Sequence, residues 1–282
     1  MKPIRRPAVA GYFYPATREL LIKQINECFL SKLGPGKLPK LNPAGKREIV
    51  ALISPHAGYM YSGSVAANGY FSLADDGKPD VVVIIGPNHT GRGSGVSLMP
   101  RGIWETPLGS VEIDEEISER ILSKADLIDR DETAHMLEHS IEVQIPFLQY
   151  ILGNFKIVPI CMMMQDLYTA RQVGKAVADS IADKNSIIIA STDLTHYESQ
   201  KSAEIKDKAV IDAILSLDEE KLSDIILEMG SSMCGPGPVM AAICASKILG
   251  AKKASLLRYA TSGDVTGDYS AVVGYASIKI IK

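Results

Sequence analysis

Three of the five histidines follow runs of β-branched residues that are typical of buried strands. The runs and the histidines that follow them are Ile49–Ile53 with His56, Val81–Ile85 with His89, and Ile187–Ala190 with His196. Because the carboxyl ends of neighbouring parallel strands meet at one edge of a sheet, we expect the three imidazoles to share a crevice. Imidazole clusters bind first-row transition metals or transfer protons. The spacing therefore predicts a metal site or an acid–base site.

Cys234 is the cysteine whose surroundings differ from those of the other three. It lies in the Gly/Pro segment Ser231–Pro238, directly before a predicted helix, where backbone N–H groups lower the pKa of a thiol. A thiolate is a good ligand for soft or borderline metals. We therefore expect Cys234 to complete the metal site.

Asp193 precedes His196 by three residues in the same loop. A carboxylate beside an imidazole fixes its tautomer and raises its basicity, and either group can also bind a metal directly. Tyr59 and Tyr61, which follow His56, are candidates for the wall of a pocket.

The segment His135–His139 supports a competing hypothesis. It has the pattern H-x-x-E-H, in which two histidines on one helix face bind zinc and Glu138 activates a metal-bound water. This zinc hydrolase hypothesis leaves the three strand-end histidines unexplained.

The elements that must position these residues alternate between strands and helices. Strands are predicted at Ile49–Ile53, Val81–Ile85, Phe155–Met163, Ile187–Ala190, Ala254–Tyr259 and Ala271–Ile280. Helices are predicted at Thr17–Leu30, Glu138–Leu152, Leu167–Ile181, Ala203–Leu217, Asp218–Met229 and Pro238–Leu249. Gly95–Ile113 is less regular and suggests a hairpin or an antiparallel edge, and Lys32–Lys46 suggests a connection between helix and strand. The alternation predicts a single α/β domain over residues 1–282, an α/β/α sandwich with a mostly parallel central sheet.

Composition excludes several classes of protein. The 282 residues carry a net charge of -3, so no electrostatic footprint for nucleic acid is present. The longest apolar runs are far shorter than the roughly 20 residues that span a bilayer, and no apolar leader follows the basic N-terminus. Four cysteines without a CxxC pair suit a reducing compartment. We expect a cytoplasmic protein with no membrane association.

Separated motifs, in order along nearly the whole chain, resemble the Memo family, called AmmeMemoRadiSam system protein B in bacteria and archaea. These motifs are Arg6–Pro15, Pro55–Gly63, Gly86–His89, Thr106–Gly109, Glu138–Glu142, Ser191–His196, Met233–Gly235 and Tyr269–Ala271. The resemblance implies a fold similar to that of class III extradiol dioxygenases, which open aromatic rings with non-haem iron. It also implies that AMMECR-like proteins and radical enzymes are possible partners.

The resemblance implies a site as well as a fold. The two histidines and one cysteine around the family's pocket match His56, His89 and Cys234, its acidic residue and histidine match Asp193 and His196, and a further motif matches Glu138 and His139. Iron or copper is the implied metal, with zinc less expected. Non-haem iron oxygenases use two histidines and a carboxylate, so a cysteine in place of the carboxylate changes the redox behaviour, and ring cleavage does not follow from the fold.

Three functional hypotheses result. The first is a redox protein or oxidoreductase that holds iron or copper on His56, His89 and Cys234, with Asp193 and His196 as acid–base groups. The second is a protein that binds a small molecule or peptide in the same pocket without turnover. The third is the zinc hydrolase of the H-x-x-E-H segment.

Overall fold

Continuous Val and Ile runs form the centre of the sheet, because such residues suit strands that are buried on both faces. The computed structural model describes residues 2–282, and twelve strands join one sheet in this part of the chain. The strands are β1 (Ile4–Arg5), β2 (Ile49–Ser54), β3 (Val81–Pro87), β4 (Val96–Leu98), β5 (Ile103–Thr106), β6 (Gly109–Ile113), β7 (Asp129–Arg130), β8 (Lys156–Met162), β9 (Ser186–Ser191), β10 (His196–Glu198), β11 (Lys253–Thr261) and β12 (Val272–Ile281).

Helices connect most of these strands. They are α1 (Arg18–Leu30), α2 (Ser64–Asp76), α3 (Glu115–Leu122), α4 (Ile145–Leu152), α5 (Leu167–Ile181), α6 (Gln200–Leu215), α7 (Glu219–Met229), α8 (Pro236–Ile248) and α9 (Gly263–Thr266). A π-helical turn at Tyr59–Gly63 and 3-10 turns at Thr133–His135 and Glu142–Gln144 complete the regular elements of residues 2–282. Within that range, none of the helices combines the length and the apolar character needed to cross a membrane.

The central strands are parallel, and antiparallel pairs occur on either side of them. Strands β6, β8, β3, β9 and β2 lie side by side in this order, and each pair is parallel. Strand β12 pairs antiparallel with β2, β10 and β11, while β5 and β6 form an antiparallel hairpin. The predicted mostly parallel sheet is confirmed, as is the antiparallel edge within Gly95–Ile113.

Helices cover both faces of this sheet. Side chains of β3 alternate between two apolar clusters, with Val82 and Ile84 in one and Val83 and Ile85 in the other. The first cluster includes residues of α1, α2 and α4, and the second includes residues of α3, α5, α6 and α8. The structure thus has the predicted α/β/α layers, in a mixed α/β fold. A single domain over residues 1–282 stays a prediction.

One predicted helix begins much later than expected. The periodicity predicts a helix over Glu138–Leu152, but α4 begins at Ile145, and residues 136–141 are not helical. The Glu138 carboxylate accepts the backbone N–H groups of His139 and Ser140, at 2.9 Å each, so these groups do not enter a helical ladder. Helices α2 and α3 were not predicted at all.

Candidate metal centre

Three neighbouring parallel strands bring the predicted ligands together. His56 follows β2 and His89 follows β3, while β9 lies between these two strands and leads into Asp193. Cys234 reaches the same edge of the sheet from the turn before α8. Ligand atoms of His56, His89 and Cys234 all lie within 4.8 Å of one another, so the three residues could hold a metal ion. The adjacency of the strands thus produces the expected convergence.

The imidazole of His56 is buried and bonded on both sides. Its Nδ1 lies 2.8 Å from Ser191 Oγ and its Nε2 lies 3.2 Å from Cys234 Sγ. Burial lowers the pKa of His56 well below its ordinary value, and the neighbouring imidazoles add to this effect. The ring is therefore neutral at pH 7 and carries one N–H and one lone pair.

Glu138 orients His89 from behind. Its buried carboxylate accepts the His89 backbone N–H at 2.6 Å and faces His89 Nδ1 at 2.9 Å. Burial opposes ionisation, but the hydrogen bond from His89 and the nearby imidazoles outweigh it and lower the pKa of Glu138 to about 2. An ionised carboxylate only accepts, so Nδ1 carries the proton and Nε2 is left to bind a metal.

The thiol of Cys234 has a high pKa, contrary to the sequence-based expectation. Burial raises its pKa to about 12 and the Asp193 carboxylate adds to the effect, while the backbone N–H of Asp193 lies 3.2 Å from Sγ and works in the other direction. Desolvation thus outweighs the position before a helix. A bound cation would reverse the balance, because it stabilises the thiolate directly.

Asp193 and His196 both line the cavity beside the metal group, but each has its own partner. Asp193 Oδ1 accepts the backbone N–H of His56 at 2.8 Å, and burial raises the pKa of Asp193 to about 6. His196 Nδ1 lies 3.0 Å from the carbonyl oxygen of Ser232, which only accepts, so Nδ1 carries the proton. Ser232, and not Asp193 as expected, therefore sets the tautomer of His196.

A cavity of about 750 Å³ opens in front of the His/His/Cys group. Its wall includes exposed aromatic side chains, among them Tyr12 and Tyr197. Within the described part of the chain, the residues that line the cavity include no Lys or Arg. Tyr61 lines it as predicted, but Tyr59 does not. The Tyr59 ring is 2% exposed, packs against Phe147 and donates its hydroxyl to a backbone carbonyl, so it belongs to the apolar core.

The H-x-x-E-H segment does not form the predicted zinc site. His135 belongs to a 3-10 turn, is fully buried and packs against Trp104 at a centroid distance of 5.8 Å. His139 instead stacks on His89 at 4.5 Å and lines the cavity. The two histidines do not share a helix face, because the chain is not helical between them.

His89, Glu138 and His139 form a second group with metal-ligand spacing. The Glu138 carboxylate already accepts hydrogen bonds from the backbone N–H groups of His89, His139 and Ser140 and from His89 Nδ1. A metal on this group would displace some of those bonds. The geometry therefore favours His56, His89 and Cys234, whose ligand atoms lie within 4.8 Å of one another and include no carboxylate already held by several N–H groups.

The N-terminal segment contributes a wall that the sequence did not predict. Phe13 packs against His139 at a centroid distance of 4.7 Å. The segment is held by the buried ion pair between Arg5 and Glu142, and Glu142 also accepts the backbone N–H of Ala8 at 2.8 Å. A charged pair so far apart in sequence gives no local signal, although its members fall in or beside motifs of the family resemblance.

The fold and the site define a class: a mixed α/β protein with a His/His/Cys group at the carboxyl edge of its parallel strands. The chain belongs to the Memo family, because residues 5–279 match the family model described as Memo-like protein.

Archaeal relatives agree with this assignment. A MEMO1 family protein of Methanothermobacter thermautotrophicus is 55% identical and covers 98% of this chain and 99% of its own. One from Methanopyrus kandleri is 54% identical and covers 97% of this chain and 98% of its own. Another from Methanocaldococcus jannaschii is 52% identical and covers 98% of this chain and 99% of its own. A crystal structure of an uncharacterised protein from Escherichia coli K12 matches 82% of this chain and 99% of its own with a TM-score of 0.52 and 11% identity, which supports the fold alone.

Proposed function

We propose that the protein binds a redox-active iron or copper ion through His56, His89 and Cys234. One observation carries this proposal: the Nδ1 atoms of both imidazoles are held by protein partners, while His56 Nε2 lies 3.2 Å from the Cys234 thiol and a ligand atom of His89 lies within 4.8 Å of both. Imidazoles oriented by hydrogen bonds from their second nitrogen are the usual form of histidine ligands. The residues present therefore fit a transition metal.

The donor set favours a soft or borderline ion. Two imidazoles with one thiolate suit copper, and a thiolate in the place of a carboxylate gives a modified version of the histidine–carboxylate set that binds non-haem iron. When bound, such an ion supplies one-electron redox chemistry or activates oxygen. Zinc also accepts these donors, so it is an explicit outcome of the test below.

The protein's own residues would serve the reaction from the cavity side. His196 Nδ1–H donates to the carbonyl oxygen of Ser232. Its Nε2 is therefore the atom that can accept a proton from a ligand or donate one to it. Asp193 accepts the backbone N–H of His56, and burial raises the pKa of its carboxyl above the ordinary value. We assign His196 the proton transfer and Asp193 the support of the site and of its charge balance.

Metal analysis after anaerobic purification tests the proposal. Wild-type protein is expected to hold iron or copper, and His56→Ala or Cys234→Ser to lose at least about tenfold in metal content, since each removes a direct ligand. Cys244→Ser is the matched control, because Cys244 is a half-buried thiol whose Sγ faces the carbonyl of Arg171 in α5. Unchanged iron and copper in both ligand variants would contradict the proposal, as would zinc alone in the wild type.

Ligand binding without turnover is the second candidate function, favoured by the large cavity with its aromatic wall. The two functions differ in oxygen consumption. Fully loaded protein that consumes no oxygen over a panel of catechols, yet binds one of them in calorimetry, would favour binding alone. Oxygen consumption that disappears in His196→Ala with the metal retained would favour the oxidoreductase.

A further inference from the structure

We infer that Ser191 and Gln144 are positioning residues that hold His56 as its Nδ1–H tautomer and so aim the lone pair of Nε2 at the metal group. This inference rests on the proposed function, because the orientation of Nε2 serves metal binding. Its evidence is a chain of buried hydrogen bonds on the Nδ1 side of the His56 ring.

The hydroxyl of Ser191 has one proton, and it already donates that proton in a hydrogen bond. Ser191 Oγ lies 2.7 Å from the carbonyl oxygen of Ser140, which only accepts, so the hydroxyl donates there. The contact of 2.8 Å between Ser191 Oγ and His56 Nδ1 must then be a bond in which the imidazole donates. A hydroxyl with no second proton therefore fixes the tautomer of a neutral ring.

Gln144 keeps Ser191 in this role. Its Nε2 lies 2.8 Å from Ser191 Oγ and 3.0 Å from the carbonyl oxygen of Pro55. Its Oε1 accepts from the hydroxyl of Tyr70, whose pKa is raised by burial so that it stays a donor. Turning the amide over would set its oxygen against the Pro55 carbonyl. The donated bond from Gln144 therefore reinforces the acceptor role of the hydroxyl.

Burial protects this arrangement from water. Ser191 and Tyr70 are 0% exposed and Gln144 is 1% exposed. A buried group with a fixed partner cannot exchange it for solvent without a desolvation cost. The chain Tyr70–Gln144–Ser191–His56 thus ties the turn before α4 and the end of β9 to the ligand after β2.

The consequence lies on the other side of the ring. With the proton on Nδ1, Nε2 is unprotonated in a neutral imidazole, and this atom faces Cys234 Sγ at 3.2 Å. His56 therefore loses no proton when it binds a metal. His89 obtains the same result from a charged partner, Glu138, whereas His56 obtains it from uncharged groups.

The tautomer can be measured without any metal. In metal-free wild-type protein labelled with ¹⁵N, correlation of ring nitrogens with ring C–H protons distinguishes the two tautomers, and His56→Gln assigns the signal. We expect His56 to be protonated on Nδ1 and unprotonated on Nε2. A proton found on Nε2 would overturn the inference whether or not the protein binds metal.

Metal affinity tests the role of the serine. We expect Ser191→Ala to weaken binding of Co²⁺, used as a visible probe, by about ten- to a hundredfold, the usual effect of removing an outer partner of a histidine ligand. Ser180→Ala is the matched control, because Ser180 is equally buried and its hydroxyl bonds within α5. The control should bind Co²⁺ within about twofold of wild type, as expected for a site with no contact to the ligands.

The outcomes separate this inference from the proposed function. Ser191→Ala that folds, by its circular dichroism, and binds Co²⁺ as tightly as wild type would overturn the positioning role. Wild-type protein that binds no Co²⁺, iron or copper would overturn the proposed function instead, and the tautomer measurement would still decide the inference.

Discussion

Replacing Glu138 with glutamine is expected to destabilise the protein, because this buried carboxylate organises the loop behind His89. It is 0% exposed and accepts the backbone N–H groups of His89, His139 and Ser140. It also faces His89 Nδ1 at 2.9 Å. Glutamine has the same shape but no charge, and its amide N–H₂ must face at least one of these donors.

The pKa of Glu138 sets the magnitude. The hydrogen bonds and imidazoles lower it to about 2 from an ordinary 4.5, against the effect of burial. At 1.36 kcal/mol for each tenfold change in acid dissociation, this depression corresponds to about 3 kcal/mol of stability. Since the folded-state pKa is depressed, the contribution is fully present above pH 4.5 and is lost as the pH falls toward 2.

Urea unfolding of metal-free protein measures the effect. Glu138→Gln is expected to lower the free energy of unfolding by about 3 kcal/mol at pH 7, and the difference from wild type should shrink below about pH 4.5. Glu228→Gln, at an exposed position of α7, should stay within about 0.5 kcal/mol of wild type. A loss in Glu138→Gln no larger than that of the control would refute the reasoning.

Three other substitutions test buried contacts elsewhere. Arg5→Met leaves Glu142 buried without its partner and should cost about 3–5 kcal/mol in urea unfolding, with Arg5→Met/Glu142→Gln less destabilised than the sum of the single variants; simple additivity would contradict the coupling. Gly274→Ala places a Cβ 1.8 Å from Asp207 Oδ2 and should lower Tm by about 4 °C or more, so an unchanged Tm would show that the contact is not tight. Burial lowers the pKa of His135 to about 4, so its neutral form stabilises the fold above pH 6.5 and that stability declines as the pH falls toward 4. Between pH 7 and 5, wild type should therefore lose about 2 kcal/mol more than His135→Phe, and equal losses would contradict this assignment.

Local patterns were sufficient to predict most of the scaffold. The Val/Ile runs of β2, β3 and β9 are β-branched and continuous, and the structure places all three strands where they were predicted. Leu167–Ile181 is a helix over the predicted residues, and Asp218 caps α7 by accepting backbone N–H groups. Such elements depend on side chains within a few residues of one another, which is the information that periodicity carries.

The predictions that were wrong depended on contacts across the chain. Residues 138–141 were predicted to be helical from their periodicity, but Glu138 binds local backbone and His89 instead. Tyr59 sits beside a ligand in sequence, yet its ring packs in the core. Cys234 precedes a helix, yet burial decides its pKa.

The sequence by itself determined the layered α/β scaffold, the scarce residues able to bind a metal, and the edge of the sheet at which they meet. These follow from local periodicity and from the rule that parallel strands end at a common edge. Only the tertiary structure decided which atoms of those residues are free. The tautomer of His56 is set by Ser191 and that of His89 by Glu138, which lie 135 and 49 residues away along the chain. A hydrogen-bond direction is a property of three-dimensional neighbours, and no spacing along the chain encodes it.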